Sequence, residues 1–403
     1  MSWKKVHIAD ICEIKSGKRI PKGFDFSPIT TDYRYIRARD IKKGKVDSSD
    51  LGYISKEVKD KIARYIVQEN DVVVSIAGTI GEVGYVPSEL DGVNLTENAV
   101  RLTNFTEGVF SKFVLYWLMT EYSYEYMNGV AAGSAQPKLG IYKIEQIPIS
   151  LPSFEIQHRI ADILSAYDDL IENNRKQIKL LEEATQRLYK EWFVDLRFPG
   201  YEHTKIVDGV PEGWGKSNVA AVSSVLRRGI SPHYNENGKS VVINQKCIRQ
   251  TVVTFDESRK QEKLYPEDLN LQDSDTVICS TGAGTLGRVG QIFGDCPDTT
   301  FDSHVTMVRA SNEFGKQYLF QSLKAQQTYL MGMGKGSTNQ LELSRGTIQD
   351  LDIYVPSKKV LNQFEQVAQP IHDKISVISK SILQLQTARD HLLPKLVNGE
   401  VEV

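Results

Sequence analysis

The chain repeats itself once, at an offset close to half its length of 403 residues. Asn70-Asp71-Val72-Val73-Val74-Ser75, followed by Gly78-Thr79-Ile80-Gly81-Glu82-Val83-Gly84, recurs as Ser274-Asp275-Thr276-Val277-Ile278-Cys279, followed by Gly284-Thr285-Leu286-Gly287-Arg288-Val289-Gly290, displaced by 204 to 206 residues. Weaker echoes pair Trp3 with Trp214, Ile36 through Ile41 with Ile243 through Ile248, Asn98 with His304, and Gly133-Ser134 with Gly336-Ser337. Ile147 through Pro152 matches Leu351 through Pro356. One half-length unit has been used twice, and a fold for this chain must accommodate both copies.

Each unit ends in a short apolar strand closed by a proline, followed by a long helical pattern. In the first, Leu164, Ile171 and Ile178 are seven apart and interleave with Leu181 and Leu188. The second carries Ile375 and Ile382 in one register and Ile378, Leu385 and Leu392 in the other. These a/d stripes predict helices that need an apolar partner. Two stripes of equal length in one chain are covered most simply by pairing with each other, antiparallel, as a spacer of about 58 Å for about 39 residues. Ser153 and Ser357 are the expected N-caps, with Pro199-Gly200 and Pro394 as stops.

The remaining segments show short β-branched runs broken by Gly, Asp and Asn. Strands are predicted at 72–76, 93–102, 240–243, 277–279 and 305–308, and shorter helices at 113–119 and 317–326. The fold class that follows is α+β: two mixed α/β domains in tandem pseudo-repeat, separated by two long antiparallel helices forming a coiled-coil spacer. The boundaries read 1–152, 153–197, 198–356 and 357–403.

Chemistry-bearing motifs are few. Gly282-Ala283-Gly284-Thr285-Leu286-Gly287 is a literal G-x-G-x-x-G, but a dinucleotide site requires a helix to open inside the glycines, whereas Arg288 through Phe293 reads as strand. A tight hairpin explains the glycines in both copies. The Gly334-Lys335-Gly336-Ser337 stretch fails phosphate-loop spacing, and the seven histidines form no metal-ligand pair. Four scattered cysteines without a C-x-x-C suit a reducing, cytoplasmic setting. No segment approaches the length of a membrane span.

Charge is informative only when resolved along the chain. The total is −2, from 49 basic and 51 acidic residues. Yet 4–45 carries 12 Lys/Arg against 5 Asp/Glu, and 225–263 carries 8 against 4, whereas 264–303 has one against 7. Equivalent parts of both units are therefore basic, and aromatic and cationic residues interleave from Tyr33 to Lys43. Phosphate contact and base readout call for that combination.

This organisation resembles the specificity (S) subunits of type I restriction-modification systems, over essentially the whole chain. The most specific local matches are Gly133-Ser134-Ala135-Gln136-Pro137-Lys138-Leu139, Ile147 through Pro152, Gln157 through Leu164, and the ending Leu392 through Val401. The second copy departs at Leu361-Asn362-Gln363 and Ser337-Thr338-Asn339-Gln340. The resemblance implies two target-recognition domains, each reading one half of a split site in double-stranded DNA. It also implies two docked methyltransferase (M) subunits and restriction/motor (R) subunits, with no cofactor bound by this chain. S-adenosylmethionine, ATP and Mg are then expected on the partner subunits, and no catalytic or metal-binding residue here. DNA contacts are expected from Lys18, Arg19, Arg37, Arg39, Lys42, Ser75 and Thr79 in the first domain. In the second they are expected from Arg227, Arg228, Asn244, Lys246, Ser280, Thr281 and His304. Arg159, Asp168, Asn173, Arg175 and Lys176 are the solvent-side helix residues expected to meet the methyltransferase. The rival readings are a stand-alone nuclease or methyltransferase, and an interaction scaffold without a DNA role.

Overall fold

The computed structural model describes residues 3–131, 137–334 and 341–403. The matches at Gly133-Ser134 through Gln136 and from Lys335 to Gln340 lie outside the described residues. The chain divides into two compact units, 1–171 with 384–403, and 172–383. Each long helix thus begins in one unit and ends in the other.

Both units are built on one frame. In the first, Val72–Ser75 pairs antiparallel with Val83–Tyr85 on one side and Ala99–Thr103 on the other, and Glu13–Ser16 adds to Ala99–Thr103. In the second, Thr276–Cys279 pairs with Val289–Gln291 and Val305–Ala310, and Ser223–Arg228 lies outside Val305–Ala310. A small second sheet joins Arg34–Ile36 in parallel to Asn94–Leu95; its counterpart joins Ser240–Ile243 in parallel to Thr299–Phe301. Lys4–His7 with Pro148–Leu151, and Gly215–Asn218 with Asp352–Val355, close each domain just before its long helix. The central strands are buried throughout, which is why they read as unbroken β-branched runs rather than as alternation.

The turn before each central strand is duplicated down to its dihedral angles. Asn70 and Ser274 both adopt the left-handed region, with φ of 69° and 71°. The next residue, Asp71 or Asp275, accepts a 2.8 Å bond from the backbone of Gln68 or Gln272. Each carboxylate is also ion-paired in the interior, Asp71 to Arg101 at 2.9 Å and Asp275 to Arg309 at 2.7 Å. The first sheet is extended by Gly44–Val46 and Ile41–Lys42, whereas one bridge from Val252 to Gln291 stands at that place in the second.

The expected strand at 93–102 is two strands, Asn94–Leu95 and Ala99–Thr103, in different sheets. Thr96 makes the break: its carbonyl accepts from the Ala99 N–H and its hydroxyl from the Asn98 N–H. No glycine or proline marks this turn.

The first long helix runs Phe154–Tyr189 and widens into a π-turn at Lys190–Val194. It ends at Leu196, with φ of 58°, rather than at Pro199-Gly200. A left-handed non-glycine residue costs roughly 1–2 kcal/mol. Phe193 and Phe198, packed 5.7 and 5.0 Å from Trp214, offset that cost by burying both sides of the turn. The second helix, Lys358–Val397, starts where the Ser357 hydroxyl accepts from the Val360 N–H, and it continues through Pro394. An interior proline costs ~3 kcal/mol. Leu393, Leu396 and Val397 are all buried in the first unit, at roughly 1.5–3 kcal/mol each, so the helix persists. The stop is Gly399, with φ of 72°, where the Glu400 N–H bonds to the Lys395 carbonyl and the Gly399 N–H to Leu396, a Schellman motif.

The helices are antiparallel. Asp168 meets Arg389 at 2.6 Å in the first unit, while in the second Asn174 meets Ser381 at 3.5 Å and the Phe193 ring lies edge to face with Phe364, centroids 5.0 Å apart. Numbers rise on one helix as they fall on the other. Of the seam residues, Leu164, Ile171, Ile375 and Ile378 are buried, and Ile178, Leu181, Leu188, Ile382, Leu385 and Leu392 are half-buried. None faces solvent fully. Among the described residues no helix is long and apolar enough to cross a membrane.

Glu182 sits on the first long helix within the second unit. Burial pushes its carboxyl up to about 7, against the pull of Lys324 and with a further push from Glu183. The folded chain therefore holds a proton that the unfolded chain releases near 4.5, and stability falls as pH rises from about 4.5 to 7. Glu182→Gln is expected to stabilise the chain by about 3 kcal/mol at pH 8 and to leave it unchanged near pH 4, by denaturant unfolding at both values. Equal stabilities at pH 8 would contradict the burial argument.

Candidate nucleic-acid interface

Strand register decides which loops share a surface. In the first domain Ser16 lies beside Val100 and Ser75 beside Ala99, so the loops after 16, after 75 and before 99 leave the sheet together. Thr79 reaches the Ala38 carbonyl at 3.4 Å, and the Lys43 N–H donates to Glu82 at 2.9 Å, which brings the 38–43 segment to the same end. In the second domain Arg228 lies beside Thr306 and Cys279 beside Val305, and the loops after 228, after 279 and before 305 emerge likewise.

Most of the sequence-derived cations lie on these loops, though tied to acids. Lys18 is exposed, its Nζ 5.6 Å from the Tyr65 ring centroid. Arg19 bonds Glu97 at 2.7 Å. Arg37 is clamped on Asp40 at 2.9 Å and also donates to the Asp50 carbonyl, Arg39 reaches Asp50 at 3.3 Å, and Lys42 reaches Asp47 at 3.0 Å. Exposed pairs of this kind are screened by solvent and add little, so the three exposed ones, Arg19, Arg39 and Lys42, can exchange a carboxylate for a phosphate at little cost. Arg37 is largely buried and holds the turn.

Two expectations need correction in the first domain and along its helix. Ser75 is fully buried, its hydroxyl 3.0 Å from Thr79, so it supports exposed Thr79 and offers no contact surface itself. Asp168 is not on the solvent side: it accepts from Tyr116 at 2.8 Å as well as from Arg389, and so fixes the helix pair to the first domain. Arg159, Asn173, Arg175 and Lys176 are exposed.

In the second domain Arg227 and Arg228 are neighbours on one strand and therefore point to opposite faces. Arg228 bonds the Ser303 carbonyl at 2.6 Å and pairs with Glu342, among the candidate loops. Arg227 pairs with Asp268 at 2.7 Å on the other face and is withdrawn from the interface. Ser280 is fully buried against Thr306 at 2.6 Å, the counterpart of Ser75. Asn244 is committed to the backbone, accepting from the Lys246 N–H at 2.8 Å and donating to the Glu257 carbonyl at 2.7 Å, so it shapes the loop that presents exposed Lys246. Thr281 and exposed His304 meet at 2.7 Å. They adjoin an open cleft of about 360 Å³ lined by Tyr234, Gln245, Lys246, Arg259, Asp302 and His304.

Sequence reasoning missed Gln245, although it lies between two selected residues, and Arg259, whose guanidinium stacks 3.7 Å over Tyr234. It also missed Asp302, whose carboxyl is pushed up by burial and accepts from the His304 N–H at 2.9 Å. The only available signal was their position inside the basic segment or beside His304.

The glycine motif is a hairpin: Thr276–Cys279 and Val289–Gln291 pair across it, and a side chain on Gly287 would meet the Met331 backbone nitrogen at 2.5 Å. Among the described residues no cluster of three or more His, Cys, Asp or Glu is arranged to hold a metal. Burial raises the thiols of Cys12, Cys279 and Cys296 to about 12, which leaves them protonated at neutral pH and poor nucleophiles.

Residues 1–183 match the type I restriction modification DNA specificity domain. A type I restriction enzyme specificity subunit of Methanocaldococcus jannaschii is 27% identical, the alignment covering 100% of this chain and 94% of that protein. A second such subunit, of Haemophilus influenzae, is 22% identical over 99% of both chains. The crystal structure of a type I restriction-modification S subunit from M. genitalium superposes with a TM-score of 0.56 at 18% identity, covering 98% of this chain and 96% of that one, and so shares the fold. The duplicated frame, the antiparallel helices and these full-length relatives agree: residues 1–183 carry the match to the DNA specificity domain, and the chain is similar over its whole length to specificity subunits of type I restriction-modification systems.

Proposed function

We propose that this chain is the DNA-recognition subunit of a type I restriction-modification complex, with one half of a bipartite target read by each domain. The observation that carries this reading is a common frame with different loop chemistry. Arg37, Ala38, Arg39 and Asn98 in the first domain stand where Asn244, Gln245, Lys246 and His304 stand in the second. Two domains of one backbone design and unlike reading residues suit two unlike half-sites. Half-sites one turn of duplex apart are separated by ~34 Å, within the reach of helices of this length.

On this reading Lys18, Arg19, Arg39, Lys42 and Lys246 contact phosphates, while Thr79, Thr281, His304 and Arg228 lie toward the bases. Arg37 and Asn244 hold the loops in shape. Two methyltransferase subunits dock along the helices, and restriction subunits join them. S-adenosylmethionine, ATP and Mg belong to those partners, and this chain supplies recognition without catalysis.

Deleting the gene is expected to abolish adenine methylation at one bipartite motif, read by methylation-sensitive sequencing of the host. An unchanged methylome would overturn the proposal. Methyl transfer or DNA cleavage by the purified chain alone would favour the enzyme reading instead.

A further inference from the structure

We propose that Glu342 is a specificity-determining residue of the second domain: it holds Arg228 away from phosphates and so lowers the affinity of this domain for duplex DNA of unrelated sequence. The inference rests on the recognition role proposed above and goes beyond it by assigning discrimination to an acid.

In each domain one further segment reaches the end of the sheet where the candidate loops emerge. Lys138 forms an antiparallel bridge with Ala77, and Glu342 forms the same bridge with Thr281. The next residue pins the segment: the Leu139 N–H donates to the Ile76 carbonyl at 2.9 Å, and the Leu343 N–H to the Ser280 carbonyl at 2.8 Å. Leu139 and Leu343 are fully buried, whereas Lys138 and Glu342 are exposed. The backbone therefore sets both side chains on the candidate surface at one equivalent position, with opposite charge.

The neighbouring strand differs with them. Ser16 lies beside Val100 and Arg228 beside Thr306. Each is followed by a glycine whose N–H bonds the adjacent strand at 3.1 Å, Gly17 to Ala99 and Gly229 to Val305. Ser16 and Arg228 are thus equivalent, so the first domain sets a serine and a lysine where the second sets an arginine and a glutamate. In the second domain the two form an ion pair, the Arg228 side chain 27% exposed and that of Glu342 54%. Arg228 Nε also donates to the Ser303 carbonyl at 2.6 Å. One clasp joins three loops: that after Arg228, the turn before Val305, and the segment at Glu342.

Electrostatics give the clasp its consequence. Duplex phosphates attract a cation whatever the sequence, and each one neutralised adds about 0.9 to the slope of log affinity against log salt. Arg228 can reach a phosphate only by leaving Glu342, whose carboxylate then faces the polyanion uncompensated. The first domain has no such penalty at Lys138. Base contacts need the ordered loops that the clasp maintains, so Glu342 weakens binding to unrelated DNA more than binding to the cognate site.

The test is binding of the intact complex to a duplex carrying the methylated motif and to a scrambled duplex, over a range of salt. Glu342→Gln in this chain is isosteric and at an exposed position, so the fold is retained. It is expected to bind the scrambled duplex about 3- to 10-fold more tightly at low salt, with a slope steeper by about 1, and to discriminate at least about threefold less. Lys138→Gln is expected to move the other way, weaker on both duplexes alike and with a slope shallower by about 1. Unchanged or weaker binding of the scrambled duplex by Glu342→Gln overturns the role of Glu342, and so does an equal gain on both duplexes. An unchanged slope in Lys138→Gln places the segment outside the interface and overturns it too. All three results leave the recognition role standing, whereas a wild-type complex that binds motif and scrambled duplex equally overturns that role itself.

Discussion

Asp275→Asn is expected to destabilise the second unit by about 3–5 kcal/mol, because it leaves the Arg309 guanidinium in the interior without its counter-ion. The Asp275 side chain is 2% exposed and that of Arg309 16%. Burial pushes the Asp275 carboxyl up, and the Arg309 hydrogen bonds and charge pull against it, so the ion pair is held together by geometry rather than by solvent. Replacing both residues by Leu and Met is expected to recover most of the loss, since a buried pair exchanged for packed apolar groups is often neutral. Asp71→Asn should do the same to the first unit through Arg101. Hydrogen exchange combined with denaturant unfolding checks this: protection should fall in the unit that carries the change. A loss below about 1 kcal/mol in Asp275→Asn would show that the pair is solvated and that the duplicated turn has another support.

These paired aspartates illustrate what was legible in the sequence. Asp71 and Asp275 stand out as members of a repeated string, and the repeat led to two domains, two helices and their pairing. Arg101 and Arg309, their partners, are 30 and 34 residues downstream, where no local pattern connects them. The same limit applies to the basic segment from Lys4 to Lys45. Its charge count was correct, but Asp40, Asp47, Asp50 and Glu97 neutralise much of it in space, and Glu97 lies far along the chain. Alternation on a strand separates Arg227 from Arg228, and burial removes Ser75 and Ser280, because a hydroxyl beside a glycine loop reads the same whether it points in or out. Pro394 misled for an energetic reason, the burial around it exceeding its cost. Gln157 reads in the sequence only as the start of a matching string, with no hint of its role: its amide, fully buried, bonds the backbone of Phe110, Gly108 and Pro152 and fastens the first helix to its domain.

The most direct test of the account is to lengthen both helices at matched positions and read the methylated motif. Four residues inserted after Asn174 and four after Ser381, which face each other at 3.5 Å, keep the helices paired. Each insertion adds about 6 Å and one turn plus roughly 40°, a stutter that helix pairs absorb by local unwinding. If one domain reads each half-site and the helices set the distance, both half-sites stay the same. The unread gap between them then grows by about two base pairs, or methylation at every bipartite site is lost. Methylation that persists at the original motif with the original gap would contradict the central claim that the helices measure the space between the half-sites.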